Sequence, residues 1–149
     1  MVDRITPGQS LERWKIGMTR EEVKATFEGK SRSNGEGWQY GDFNFRFDAA
    51  GLFSIDARGS YTGTYKGVGV GSTMADVLAA FGSPYRDPEH DRILVDSEPL
   101  LFFALSPAKM TTLFEVGVSH LGDFDHVKGL GLKALVVKRI GVMRERERD

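Results

Sequence analysis

Two short phrases along the chain place their apolar and polar residues at the same spacing. In IGMTREEVKATF (residues 16–27) and VGSTMADVLAAF (residues 70–81), Gly17 falls on Gly71, Thr19 on Thr73, Glu22 on Asp76, Val23 on Val77, Ala25 on Ala79 and Phe27 on Phe81. A Thr hydroxyl can cap a first helical turn, and an acid three residues on can bond back to the cap backbone while favouring the positive helix end. Val and Phe four residues apart share one face. The spacing predicts two amphipathic helices of about three turns, closed by Gly29 and by Gly82, with Pro84 barring continuation.

The segments that follow have period two. Tyr40, Phe43, Phe45 and Phe47 are set against Asn44 and Arg46, which predicts a half-buried strand with the aromatic stripe as core rather than as a stacking platform. DAAG (residues 48–51) turns the chain into a return strand in which Leu52, Ser54 and Asp56 alternate with Phe53, Ile55 and Ala57. After the second phrase the same order predicts an apolar strand at 100–105, a Pro-containing turn at 106–109 and a strand at 110–118. Near the end, LKALVVKRIGVM suits a last strand, with a short helix over 132–140 as the alternative, before a charged tail. The predicted fold class is α+β: two repeated units, each a helix followed by antiparallel strands, forming a concave sheet surface. The units span 10–60 and 70–119, joined by a Gly-rich link at 61–69 and followed by a C-terminal strand and tail at 120–149.

Composition narrows the function classes. With 149 residues, 40% of them hydrophobic and 28% charged, the chain can bury a sizeable core. Its 20 basic and 21 acidic residues give a net charge of −1, too little to draw in nucleic acid or an anionic membrane through a global field. The absence of Cys excludes disulfides and thiolate chemistry. An N-terminus with charges and a Pro lacks the apolar run of a secretory signal, and no stretch approaches the length of a membrane span, so a cytoplasmic location is expected.

Candidate chemistry is sparse. His120, Asp123, Asp125 and His126 form the one cluster of metal-capable side chains, but their spacing fits no metal motif, so neither a metal nor a cofactor is expected. Ser72 and Ser119 lack a nucleophile elbow, and GVGVG lacks the spacing of a phosphate-binding loop. The stretch at 82–99 is the most acidic in the sequence and reads either as a solvated loop or as a recognition edge. Asp87, Glu89 and Asp91 there, with Tyr61 and Tyr65 of the Gly-rich link, are the candidate partner-binding residues.

The phrases GMTREEVKATFEG and GSTMADVLAAFGSP, each opening a helix before aromatic strands, resemble the BamE/SmpA-type fold. Two such units in tandem are similar to β-lactamase inhibitory proteins and to some bacterial toxin-immunity proteins. That resemblance implies a non-enzymatic protein-binding module, an immunity or inhibitor protein that covers the active site of a toxin or enzyme. The acidic stretch would engage a basic partner surface. A small-ligand or lipid-binding protein using the sheet concavity is the alternative.

Overall fold

A computed structural model describes residues 4–29, 31–34, 37–82, 84–87, 92–110 and 135–144. The chain opens with three short strands, β1 (Ile5–Thr6), β2 (Ser10–Leu11) and β3 (Trp14–Lys15), which form a small antiparallel sheet. Helix α1 (Arg20–Lys24) leads into β4 (Arg32–Asn34), β5 (Gly37–Tyr40), β6 (Phe43–Asp48) and β7 (Gly51–Arg58). The Gly-rich link folds into a hairpin, β8 (Thr64–Tyr65) and β9 (Val68–Gly69), ahead of α2 (Met74–Phe81). β10 (Pro84–Asp87), β11 (Arg92–Val95), β12 (Leu101–Ala104) and β13 (Arg139–Met143) complete the described elements.

The expected pair of helix-plus-strand units does not form. The protein is mostly β, built around one eight-stranded antiparallel sheet in the order β10-β11-β12-β13-β7-β6-β5-β4. β13 lies between β12 and β7 and pairs with both, so the ladder runs unbroken from one half of the chain into the other. The cause is the backbone's need for partners. A separate sheet in each half would leave the edges of β7 and β12 open, whereas β13 satisfies both at once.

What does repeat is the local anchoring of the two phrases. Thr19 and Thr73 each close a full capping box, with Glu22 and Asp76 returning the bond to the cap backbone. Gly17 and Gly71 share φ +96°, a value that suits glycine. Gly17 N–H donates to Leu52 C=O and Leu52 N–H to Met18 C=O, while Gly71 N–H donates to Val137 C=O and Val137 N–H to Ser72 C=O. Each helix is thereby latched to a central strand of the sheet or to the residues leading into it.

The helices themselves differ from the expected three turns. α1 holds only five residues, because the Thr26 hydroxyl donates to Val23 C=O and accepts from Trp14 Nε1 at 2.8 Å, drawing the chain out of helical course. Phe27 then lies beyond the helix, stacked on Tyr40 with ring centroids 4.3 Å apart. α2 runs to Phe81 and ends at Gly82, whose φ of +86° permits the reversal.

Register assigns one sheet face to the core. Trp38, Phe45, Ile55, Val142 and Leu101 form one cross-strand row, and Tyr40, Phe43, Ala57, Ile140, Phe103 and Ile93 another. Trp14 packs edge-on to Phe45 at 5.0 Å, Val23 and Val77 of the helices are buried, and Phe81 lies 5.8 Å from Phe103. The aromatic stripe of β6 is therefore core, as its alternation predicts. A bulge between Arg46 and Phe47 shifts the register, which is why Leu52 and Ile55 both reach the core.

The acidic stretch is neither a loop nor an open edge throughout. Pro84–Asp87 and Arg92–Val95 pair as a hairpin at one end of the large sheet, with Ile93 and Val95 buried. Their alternation of apolar and polar residues is a strand pattern that the surrounding prolines and acids mask. The strand expected at 110–118 begins as a helical turn at 107–110, and its remainder lies outside the described residues. Among the described residues, no helix is long and apolar enough to cross a membrane.

Candidate functional site: an arginine-lined sheet face

The second face of the large sheet carries polar chemistry. In antiparallel pairing, directly opposed residues share a face, so the register spells out a row: Gln39 on β5, Asn44 on β6, Asp56 on β7, Gly141 on β13 and Phe102 on β12. Two residues along β7 to one side, Arg58 stands opposite Arg139; two residues to the other, Ser54 stands opposite Arg46. Three guanidinium groups thus surround one carboxylate.

Asp56 is 8% exposed at the floor of this group. Arg139 Nη1 lies 3.6 Å from its Oδ2. Burial pushes the Asp56 carboxyl above the usual carboxylate range, against the opposing pull of Arg139, Arg46, Arg58 and the Asn44 amide. Among the described residues, neither Arg46 nor Arg58 has a carboxylate within salt-bridge distance. With Asp56 ionised, the three arginines leave an excess of two positive charges.

A concavity of about 480 Å³ opens over these side chains, bounded by Gly37 and Gln39 at one end and Phe53 to the side. Gly37 gives it room, and Gly141 lies further along the same sheet face. Gly37 opposes Arg46 with no side chain, and Gly141 accepts the Phe102 ring so closely that a Cβ would lie 2.3 Å from its Cζ. Because the backbone groups of these inner strands are engaged in the ladder, recognition here falls to side chains.

The residues singled out in the sequence lie elsewhere or in different roles. Asp87 is on the same sheet face but at its β10 end, in an ion pair with its register partner Arg92 at 3.1 Å. Glu89 and Asp91 lie outside the described residues, as do His120, Asp123, Asp125 and His126. Tyr61 is buried and its hydroxyl donates to Glu12 at 2.9 Å; burial first, and that bond second, push its phenol up. Tyr65 stacks on Phe81 and donates to Glu98 at 2.8 Å. Tyr61 and Tyr65 thus bond different carboxylates, Glu12 and Glu98, while both pack on one hydrophobic core.

Sequence reasoning missed the arginine face because its members are far apart in the chain. The signal was nevertheless present: Asn44 and Arg46 alternate with the aromatic stripe, and Asp56 and Arg58 alternate with Ile55 and Ala57. Among the described residues, no group of three or more His, Asp or Glu side chains is placed to hold a metal ion. Compared with known proteins, the chain matches no family model, no curated protein and no solved structure.

Proposed function

We propose that this protein is a non-enzymatic binding module that receives a protein partner on the arginine-lined face of its eight-stranded sheet. The observation that carries the reading is the excess of positive charge from Arg46, Arg58 and Arg139 around the single buried carboxylate of Asp56. Arg46 and Arg58, which among the described residues have no carboxylate within salt-bridge distance, are ready for bidentate bonds to carboxylates of another molecule, at little ordering cost in the scaffold.

An immunity or inhibitor protein, covering the active site of a toxin or enzyme, is one form of this proposal; it rests on the charged face alone, since the tandem units that suggested the likeness merge into one continuous sheet. Charge complementarity reverses the sense expected from the acidic stretch: this face suits an acidic partner surface. A cytoplasmic site of action belongs to the same proposal.

The test is co-expression with the products of adjacent genes, followed by purification of any complex and titration of salt. A complex that weakens as salt rises and is lost when Arg46, Arg58 and Arg139 are all replaced by Gln supports the reading. Retention of nucleic acid by the same three arginines, or a small molecule carried in the concavity and seen by native mass spectrometry, would replace it.

A further inference from the structure

Resting on the reading of the arginine face as a binding surface, we infer that its ligand is an acidic segment of the partner protein presenting two carboxylates about 13 Å apart along the strand direction, one on each side of Asp56. The spacing comes from the sheet. Arg46 stands level with Ser54, whereas Arg139 stands level with Arg58, four residues further along β7. Along the strands that is about 13 Å at roughly 3.3 Å per residue, the span of four residues of extended chain, and with strands about 4.8 Å apart the one-strand offset of Arg46 from Arg58 makes the segment cross the sheet slightly obliquely.

Asp56 lies midway between the two levels, so the signs along β7 and its neighbours run positive, negative, positive, while the Asp42 carboxylate across from Arg58 is engaged by the Ser60 N–H and hydroxyl. A single anion placed centrally would meet the Asp56 carboxylate. Anions are accepted instead at the Arg58–Arg139 pair and at Arg46, and the segment between them crosses Asp56. Asn44 and Gln39 stand in the same cross-strand row as Asp56, where their amides can bond the backbone or an uncharged side chain of that crossing segment. The like-charged Arg58 and Arg139, directly opposed on neighbouring strands, share the single Asp56 carboxylate, so part of their repulsion remains until a second anion bridges them. That repulsion is relieved on binding and so favours the occupied state.

Titration of the isotope-labelled protein with synthetic peptides, followed by NMR of guanidinium and side-chain amide signals, tests the assignment. A peptide with glutamates at positions i and i+4 is expected to shift the signals of Arg46, Arg58, Arg139 and Asn44. Its affinity should fall about tenfold or more when both glutamates become glutamine, since charge-assisted bonds are the stronger class. Adjacent glutamates should bind more weakly than spaced ones. Arg58→Gln should lose most of the binding, and Asp56→Asn, which removes the central negative charge, should tighten it.

Equal binding of the glutamine peptide, equal binding of adjacent and spaced glutamates, or weaker binding to Asp56→Asn would overturn the assignment. So would inorganic phosphate occupying the same arginines as tightly as the peptide, the mark of an isolated-anion site. Failure of every peptide while a partner protein is still held by this face defeats the two-carboxylate assignment alone. Peptide binding with no protein partner retained defeats the functional reading alone.

Discussion

Arg58 and Arg139 face each other as a direct cross-strand pair on β7 and β13, and the carboxylate that compensates them is Asp56, 3.6 Å from Arg139. Two like charges in one pair at the centre of a sheet weaken the pairing that joins the two halves of the chain. The large sheet holds despite this because the opposite side of the same strands is apolar, with Ile55, Ala57, Ile140 and Val142 all fully buried.

Asp56 makes stability depend on pH in a definite sense. Its folded pKa is raised, chiefly by burial, so the folded state holds the proton more tightly than the unfolded chain does. Stability from this group is therefore greatest below the unfolded value of about 3.9 and falls as pH rises through the window up to the folded value. Asp56→Asn removes that fall. Denaturant midpoints across this range should show the variant and the wild type converging at acid pH, with the variant gaining as pH rises. A variant that loses ground with rising pH contradicts the account.

The two anchoring phenylalanines should not be equal. Phe81 is buried between Tyr65 and Phe103, so Phe81→Ala is expected to cost about 3–5 kcal/mol. Phe27 is only half-buried, its ring stacked on Tyr40 and tilted against Phe45, so Phe27→Ala should cost about half as much. Urea melts of the two variants give the comparison directly.

Thr19→Ala and Thr73→Ala each remove one side of a closed capping box and should cost about 1 kcal/mol apiece. The two caps share no partner, so the double variant should lose the sum within about 0.5 kcal/mol. Strong non-additivity in chemical denaturation would show that the two helices are coupled.

Gly141→Ala should be costly for its size. The added Cβ would sit 2.7 Å from the Ile55 carbonyl oxygen, a backbone atom that cannot swing aside, as well as against the Phe102 ring. Overpacking of this kind costs about 1–3 kcal/mol. A melt should show the loss, and Phe102 ring signals in NMR should show the displacement.

The parts of this fold legible in the sequence are the local ones. A capping box closes within four residues, so Thr19 and Thr73 announce themselves, and the alternation of Phe43, Phe45 and Phe47 with Asn44 and Arg46 gives both the strand and its inner face. Length of the first helix was less legible, because Trp14 reaches Thr26 from a separate small sheet and ends it early. The pairing of β7 with β13 is invisible in any local pattern, since it joins residues more than 80 positions apart, Arg58 and Arg139 among them. That one pairing turns two expected units into a continuous sheet. It also completes the arginine face, which is why the candidate site could not be assembled from the sequence: alternation sets Asn44 and Arg46 opposite the aromatic stripe but leaves open which face of the return strand, and so of Asp56 and Arg58, is the inner one.

The most direct measurement of the central claim compares two baits, the wild-type protein and a variant with Arg46, Arg58 and Arg139 replaced by Gln, in affinity purification from the source cells with quantitative mass spectrometry. Both baits should first show matching circular dichroism at the assay temperature; their melting points need not coincide, because the substitutions remove both the Arg58–Arg139 repulsion and the cations around the Asp56 carboxylate. The account predicts a protein with an acidic surface that is retained by the wild type, released by moderate salt and absent from the variant. Identical retention by both baits would place the binding surface elsewhere on the molecule and contradict it.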